Sequence, residues 1–524
     1  MIEMTNKQPI VIIGGGHNGL VCAAYLAKAG REVLVLEAHE QVGGIAATRE
    51  FAPGFKSSCA HLSYLLDDSI ASDLDLTANG LAMAGQGLAT IALDEDGQPL
   101  TISAEGIEGE GITAGDREAY VEYRRFMTKF ANVIGGLHNQ VPPRIRKQRD
   151  DLIALGKLAL NVRRLGRSDM REFLRIAGIN IYDVLEERFE NPQLKGALCM
   201  DAVLGAFSGP RSNNTVFSAL HRMSGNNEGA AGTVSVPTGG MGAISQALAS
   251  AAVTAGADVR IASPVKKILM DGMQVSGVEL EDGEQIPAGT VISNLDIRTT
   301  VMDLLGARHV EAGFARKVVQ VRSEGHAAKL HLALDGLPEF KGLSRDQLGQ
   351  RLLIAPSPDY VEKAFNHCKY GEFSAQPVFE IIIPTLHDTS LAPDGKHVLS
   401  AVVQYAPRKL GGGWKNGKAA FIELLMDTLS AYAPGIREKT VATELLTPED
   451  IEQEFGNLGG HWHHAELSLH QFLMLRPVPK SAQYSTPVEG LFLCGAGCHP
   501  GGGVMGSAGR NAAHALLAAE GGKS

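Results

Sequence analysis

Residues 9–44 read PIVIIGGGHNGLVCAAYLAKAGREVLVLEAHEQVGG, and this stretch decides the fold. The apolar run from Ile10 to Ile13 is typical of a buried parallel strand. Three glycines in G-x-G-x-x-G spacing follow it, then an alanine-rich helical pattern, then a second apolar run from Val33 to Leu36. Strand, glycine-rich turn, helix and strand in this order form the βαβ unit that binds a dinucleotide.

The three glycines have separate roles in such a unit. Gly14 permits the tight turn out of the strand, Gly16 lets the backbone approach a pyrophosphate, and Gly19 lets the helix pack closely on the strand. The pyrophosphate is expected on the free N–H groups at the positive end of the helix. His17 and Asn18 open this helix, so we predict that they also contact the cofactor.

An acidic residue ends the second strand. Glu37 stands 23 residues after Gly14, where its carboxylate can accept hydrogen bonds from both ribose hydroxyls of a dinucleotide. Ala38 follows it directly, and we predict that it lines the same site. The sequence therefore places a complete dinucleotide-binding unit at the start of the chain.

The composition is that of an ordinary globular protein. With 524 residues, of which 44% are hydrophobic and 20% charged, the chain can bury a large core in two or more domains. Its formal net charge of −10 gives no indication of a nucleic-acid partner.

The cysteines and the apolar segments bear on the compartment. Six scattered cysteines match neither a disulfide framework nor a zinc site, which favours a reducing compartment and predicts no bound metal. No signal peptide is recognised, and no segment approaches the roughly 20 apolar residues of a membrane span. We therefore predict a cytoplasmic protein.

Residues 144–175 carry ten Lys and Arg around an apolar set, which indicates either a solvated helix or a peripheral membrane contact.

Two later segments return to the nucleotide-binding unit. Residues 258–296 contain strand patterns and two Asp-Gly turns, and Asn294 would end a strand near the cofactor. Near the C-terminus a strand pattern leads to Gly495, and a glycine run with Gly503 and Val504 precedes a further helix. A second glycine-rich helix start points a second set of N–H groups at an anionic or electron-rich group.

The rest of the chain mixes helices and strands. Helices are predicted over Ala119 to Val133, Leu174 to Arg188 and Asn511 to Ala519, and the alternating residues Lys329 to Leu334 predict a strand. These segments suit an α+β cap over a cofactor domain.

Several motifs resemble those of the phytoene-desaturase-like FAD oxidoreductases, in the branch of phytoene-dehydrogenase-related proteins. The motifs are GHNGLVCAAYLAKAG at 16–30, VGG at 42–44, PGF at 53–55, PTGGMGAISQAL at 237–248, GGHWHHAELSLHQFLMLRPVP at 459–479 and CHPGGGVMGSAGRNAA at 498–513. The resemblance runs end to end and implies bound FAD, with the pair Gly43-Gly44 and the backbone of Val265 at the cofactor. Members of the wider FAD family have Arg after this glycine pair. Here the position is Ile45, so a phosphate-binding arginine is not implied.

The resemblance also implies the architecture. We predict an α/β protein with an FAD-binding Rossmann-like domain of the amine-oxidase or glutathione-reductase type and a discontinuous α+β substrate domain. The FAD domain is predicted to comprise residues 1–66, 226–296 and 480–524, and the substrate domain residues 67–225 and 297–479.

Three side chains are candidates for catalysis. The resemblance places Lys329 where related amine oxidases hold a water near flavin N5, although a surface lysine at a strand end gives the same pattern. His464 lies in the family-like segment HHAELSLHQ as a general base, a cofactor contact or a structural histidine. His499 adjoins the glycine run, for proton transfer or for positioning the backbone. Cys494 and Cys498 are either buried small residues or sites of a covalent thioether to the flavin.

The predicted function is that of an FAD-dependent oxidoreductase: a dehydrogenase, desaturase or oxidase that removes hydride from a lipophilic or aromatic small molecule, with oxygen or a quinone as electron acceptor. Two alternatives stay open on the sequence. One is a redox-neutral flavin isomerase or a saturase, and the other is a flavin-containing interaction protein with little catalysis.

Overall fold

The computed structural model describes residues 8–144, 163–225 and 233–521, and the single residues 153, 156, 159 and 160. In chain order its strands are β1 (Ile10–Ile13), β2 (Val33–Leu36), β3 (Arg49–Ala52), β4 (Phe55–Ser57), β5 (Met83–Gly85), β6 (Thr90–Ala92), β7 (Leu100–Ile102), β8 (Ile107–Glu108), β9 (Val236–Pro237), β10 (Asp258–Arg260), β11 (Val265–Asp271), β12 (Gln274–Leu280), β13 (Gln285–Pro287), β14 (Thr290–Ser293), β15 (Ala327–Leu334), β16 (Arg351–Ile354), β17 (Val378–Ile382), β18 (His397–Gln404), β19 (Thr440–Leu446) and β20 (Leu491–Leu493).

The α-helices are α1 (His17–Lys28), α2 (Asp68–Asp73), α3 (Ala114–His138), α4 (Arg167–Ile176), α5 (Ile181–Glu186), α6 (Pro192–Val203), α7 (Thr215–Met223), α8 (Gly242–Thr254), α9 (Ala312–Val319), α10 (Arg345–Leu348), α11 (Pro358–Cys368), α12 (Trp414–Tyr432), α13 (Ile436–Lys439), α14 (Pro448–Phe455) and α15 (Ser507–Gly521).

A five-stranded parallel sheet, the nucleotide sheet, surrounds the first strand. Its order is β10-β2-β1-β14-β20, and Ile13 of β1 pairs with Leu36 on one side and Ser293 on the other. Helix α1 packs against α8 and α15 over this sheet. The α/β fold class and the βαβ unit of residues 9–44 are therefore confirmed. The five strands all come from the segments assigned to the FAD domain, and the exact domain boundaries stay a prediction.

An eight-stranded sheet, the large sheet, has the order β19-β15-β18-β17-β16-β6-β7-β8. Its pairs are antiparallel except for β16 with β6. Strand β15 contains the predicted strand Lys329 to Leu334, and all eight of its residues are buried. Leu330 and Leu332 on one face belong to the same apolar cluster as Phe421 and Leu425 of α12. Lys329 lies on the opposite face and is completely buried, so it is not a surface lysine.

All three predicted helices differ from the structure in their bounds. The helix predicted from Ala119 to Val133 is α3, which extends from Ala114 to His138. The helix predicted from Leu174 to Arg188 is two helices, α4 and α5, because the chain breaks at Gly178, a poor helix former. Asn180 then caps α5 by accepting a hydrogen bond from the Asp183 N–H at 2.8 Å. The C-terminal helix begins at Ser507, earlier than the predicted Asn511. These differences concern where helices begin and end, which apolar periodicity alone does not determine.

Candidate active site

A cavity of about 350 Å³ extends from the turn after β1 to the large sheet. Twelve of the predicted cofactor contacts line it: Gly14, Gly16, His17, Asn18, Glu37, Ala38, Gly43, Gly44, Val265, Asn294, Gly503 and Val504. Side chains of the large sheet, among them Val402 and Glu380, line its other end. One cavity thus joins the dinucleotide unit to the cap.

The glycine turn has the geometry that its spacing predicts. Gly14 has φ +96°, a conformation that only glycine adopts readily. A Cβ on Gly16 would stand 2.7 Å from Asn294 Nδ2, and a Cβ on Gly19 would stand 2.3 Å from the Gly14 carbonyl oxygen. Gly16 lines the cavity. Gly19 does not line it, and its missing side chain lets helix α1 pack closely on the turn after β1.

Helix α1 offers uncapped N–H groups to the cavity. Its N-cap is Gly16, no side chain caps it, and its first turn holds no acidic residue. The first N–H groups of a helix need a partner, and the helix dipole favours an anion there. These features fit the pyrophosphate of a dinucleotide.

The carboxylate of Glu37 is positioned to accept hydrogen bonds from a ribose. The residue is only 5% exposed, and its Oε2 accepts from the Gly15 N–H at 2.7 Å while Oε1 accepts from the His39 N–H at 2.9 Å. Each carboxylate oxygen has a further lone pair for a hydroxyl. The side chain is therefore oriented before any ligand binds.

The C-terminal glycine run forms another wall of the cavity. Val504 has φ +55°, which is rare for a β-branched residue. Such strained positions concentrate at functional sites. Gly495 does not line the cavity, and a Cβ there would meet the backbone oxygen of Asn294. Gly495 is thus a packing position beside a cofactor contact.

The three catalytic candidates lie in different places. His464 lines the cavity with φ +59°, and its buried Nδ1 has no hydrogen-bond partner among the described residues. His499 is fully buried away from the lining, and its Nε2 lies 2.9 Å from the Leu137 carbonyl oxygen. Lys329 also lies behind the lining. The geometry therefore supports a role at the cavity for His464 more directly than for the other two.

Lys329 reaches the cavity through His61. Its Nζ lies 2.5 Å from His61 Nδ1, and His61 lines the cavity. Burial lowers the pKa of Lys329 to about 7, although Cys59 and Glu380 act in the opposite direction. Burial, and then the charge on Lys329, lowers the pKa of His61 well below its usual value. Lys329 can therefore gain or lose a proton near neutral pH, whereas His61 stays neutral there.

A buried charge cluster on the large sheet was not predicted. Glu380 Oε1 accepts from Arg351 Nε at 2.5 Å and from Arg222 Nη2 at 2.6 Å. Asp201 Oδ1 accepts from both arginines, at 2.5 and 2.9 Å. Tyr64 lies under the Arg222 guanidinium, 4.4 Å from it. The one sequence signal is Glu380 itself, a lone acid in the apolar strand VFEII, because a charge there needs a buried partner.

Arg476 holds together two loops that line the cavity. It is completely buried, and its guanidinium donates to the carbonyl oxygens of His463 at 3.0 Å and Ala496 at 2.8 Å. It also donates to those of Glu466 and Cys498, both at 3.0 Å. His463 and Ala496 line the cavity. The family-like segment at 459–479 is therefore tied to the turn after β20 by one side chain.

The two cysteines considered for flavin attachment are buried behind the lining. Neither Cys494 nor Cys498 borders the cavity. Burial raises the pKa of the Cys498 thiol to about 12, and that of Cys494 also lies well above its usual value. A nucleophilic thiolate is not favoured at either position.

The uncapped helix start, the fixed carboxylate and the cavity next to them are the features of a dinucleotide-dependent oxidoreductase. The chain belongs to the family of flavin-containing amine oxidoreductases, whose profile matches residues 116–517. The profile of an NAD(P)-binding Rossmann-like domain matches residues 12–67. The protein is an FAD-dependent oxidoreductase, and the residues at the glycine turn fit FAD.

Relatives span the whole chain. Pyridine nucleotide-disulfide oxidoreductase domain-containing protein 2 of Mus musculus is 34% identical over 97% of this chain and 93% of its own length. The lycopene-forming phytoene desaturase of Pantoea ananas is 25% identical over 98% and 99%. Cyclohexylamine oxidase from Brevibacterium oxydans has a similar fold, with a TM-score of 0.59 at 14% identity over 99% and 100% of the two chains. The predicted family is confirmed.

Two further expectations concern membranes and metals. Among the described residues no helix is both long and apolar enough to cross a membrane. A membrane contact stays a prediction for residues 144–175, of which 145–152, 154–155, 157–158 and 161–162 lie outside the described residues. Within the described ranges, no group of three or more His, Cys, Asp or Glu side chains could hold a metal ion.

Proposed function

We propose that the protein removes a hydride from a lipophilic or aromatic small molecule and passes the electrons to oxygen or a quinone. The observation that supports this is the lining of the cavity beyond the cofactor contacts, where it becomes largely apolar. Leu62, Leu204, Val402 and Trp462 line this part, which we call the substrate chamber. The relative from Pantoea ananas is named for the desaturation of phytoene, which also supports a lipophilic substrate.

FAD, when bound, supplies the acceptor for the hydride. The chain supplies an apolar wall for the chamber, on which Val402 is 1% exposed and Leu62 3%. Exclusion of water strengthens every electrostatic interaction inside the chamber and protects reactive groups. The apolar side chains thus orient the substrate and keep the chamber dry.

Two-electron oxidation also releases a proton, and we assign its uptake to Lys329, which His61 connects to the cavity. His61 lies on the cavity wall, and Lys329 has a pKa near neutrality, which suits a group that holds and releases protons. His464 is the second candidate, because it lines the cavity with an unpartnered ring nitrogen. For His499 we propose only a role in positioning the backbone, because it does not line the cavity.

The test is anaerobic reduction of the bound flavin. The FAD-loaded protein is mixed with a panel of lipophilic hydrocarbons, alcohols and amines, and the loss of flavin absorbance is followed. Oxygen and a soluble quinone are then added separately. Bleaching followed by recovery supports the proposal and identifies the acceptor. An isomerase or saturase, which the family does not favour, would convert substrate only after the flavin had been reduced beforehand.

A matched pair of variants locates the reaction. Val402→Phe fills the substrate chamber, whereas Val319→Phe adds the same ring at a position that is 45% exposed. We expect Val402→Phe to retain the flavin spectrum and lose bleaching, and Val319→Phe to behave as the wild type. Equal bleaching by both variants would place the substrate elsewhere.

We also propose that the protein is located in the cytoplasm. Among the described residues all six cysteines are free and buried, which suits the reducing cytoplasm.

A further inference from the structure

Lys329, Val402 and Glu380 lie side by side on one face of the large sheet, next to the substrate chamber. Lys329 of β15 pairs with Val402 of β18, and Val402 pairs with Glu380 of β17. Directly paired residues point to the same face, and neighbouring strands lie about 4.8 Å apart. Lys329 and Glu380 therefore stand roughly 10 Å apart on one face, on either side of Val402. Val402 and Glu380 line the cavity, whereas His61 separates Lys329 from it.

The two oxygens of Glu380 differ. Oε1 accepts from Arg222 and Arg351 at 2.6 and 2.5 Å. Oε2 is buried and has no hydrogen-bond partner among the described residues. An unsatisfied buried carboxylate oxygen is costly, so a partner is expected from the cavity that Glu380 lines.

The carboxylate is charged in this surrounding. Burial acts to raise the pKa of Glu380, but the charges of Arg222 and Arg351 outweigh it and hold the pKa below its usual value. Lys329 acts in the same direction, and Asp201 balances the second arginine. A charged carboxylate accepts hydrogen bonds and donates none.

We propose that Glu380 Oε2 accepts a hydrogen bond from an O–H or N–H group of the substrate, which is therefore an alcohol or an amine with an apolar body. This inference rests on the proposed function, because it assigns the substrate class of the same chamber. The apolar body contacts Leu62, Leu204 and Trp462. The donor group lies at the sheet, where Arg222 and Arg351 keep its acceptor in place.

Binding of four matched probes tests the inference without turnover. They are 4-isopropylbenzyl alcohol, 4-isopropylbenzylamine, the methyl ether of the alcohol, and 4-isopropyltoluene. Each is titrated calorimetrically into FAD-loaded protein whose flavin has been reduced beforehand. A hydrogen bond to a charged group corresponds to at least about tenfold in affinity. We expect the alcohol and the amine to bind at least that much more tightly than the ether and the hydrocarbon.

Two variants separate the acceptor from the charge cluster. Glu380→Gln replaces the chamber-facing acceptor, whereas Asp201→Asn removes the same charge from the same two arginines at a residue that does not line the cavity. Glu380→Gln is expected to abolish the preference for the alcohol over the ether. Asp201→Asn is expected to keep it. If Glu380→Gln fails to fold, the comparison of the four probes in the wild type still tests whether the chamber binds a hydrogen-bond donor.

Equal binding of alcohol, ether and hydrocarbon would overturn the inference, and so would binding of none of the four. Bleaching of the oxidised flavin by 4-isopropyltoluene, together with such equal binding, would leave the proposed oxidation of lipophilic molecules standing. Tight alcohol binding without flavin reduction by any compound would have the opposite meaning, because the acceptor site at Glu380 would exist and the proposed function would fail.

Discussion

A methyl group at Gly19 has no room between helix α1 and strand β1. Its carbon would stand 2.3 Å from the Gly14 carbonyl oxygen, and real Cβ atoms essentially never come within 3.0 Å of such an atom. The helix start must therefore move by about 0.7 Å, the difference between the two distances. The atom at 2.3 Å belongs to the main chain, so no side-chain rotation relieves this contact.

This shift should weaken FAD binding more than it weakens the fold. Forcing a methyl group into a packed contact costs about 1–3 kcal/mol. The same movement draws the N–H groups after Gly16 away from the pyrophosphate position. Each lost hydrogen bond to a charged group corresponds to about tenfold or more in affinity. We therefore expect Gly19→Ala to remain folded and to bind FAD at least about tenfold more weakly.

The assay titrates FAD into flavin-free protein and follows the quenching of flavin fluorescence. Melting of the flavin-free protein measures the effect on folding separately. Gly136→Ala is the control, because this glycine lies in helix α3 and an added methyl group meets no atom within 4 Å. Wild-type FAD affinity in Gly19→Ala would refute the assignment of this turn to the cofactor.

Two further changes probe the residues behind the cavity. Because burial lowers the pKa of Lys329 from 10.5 to about 7, the unfolded chain binds more protons between these values, and the free energy of unfolding should rise with pH there. Lys329→Met should lose several kcal/mol of that rise relative to the wild type in urea titrations at pH 7 and pH 10, and an identical pH dependence would disprove the shift. Arg476→Lys keeps the charge but cannot reach all the carbonyls that arginine holds, so both the melting temperature and the FAD affinity should fall. Arg322→Lys, at a side chain that is 71% exposed, should change neither, and equal effects of the two variants would contradict the positioning role of Arg476.

The dinucleotide unit could be predicted because its signals are local. The strand, the glycine spacing, the helix and Glu37 all lie within residues 9–44, and each has a direct physical reason. The C-terminal cavity wall at Gly503 and Val504 was predicted in the same way, from a glycine-rich helix start. The structure places twelve of the fourteen predicted contacts along one cavity.

The substrate side could not be predicted to the same extent, because its contacts join distant segments. Glu380 meets Arg222 across 158 residues, and Lys329 meets His61 across 268. Strand register alone brings Lys329 and Glu380 to one face. A single sequence shows that Glu380 interrupts an apolar strand, but it does not show which arginines neutralise it.

The measurement that tests the central claim most directly is the visible absorption spectrum of the purified protein, recorded before and after addition of FAD and followed by acid precipitation. We expect a flavin spectrum, with all the yellow colour released into the supernatant, because Cys494 and Cys498 lie behind the cavity lining. Colour retained in the pellet would contradict the non-covalent site. Absence of a flavin spectrum even after addition of FAD would contradict the assignment as an FAD-dependent oxidoreductase.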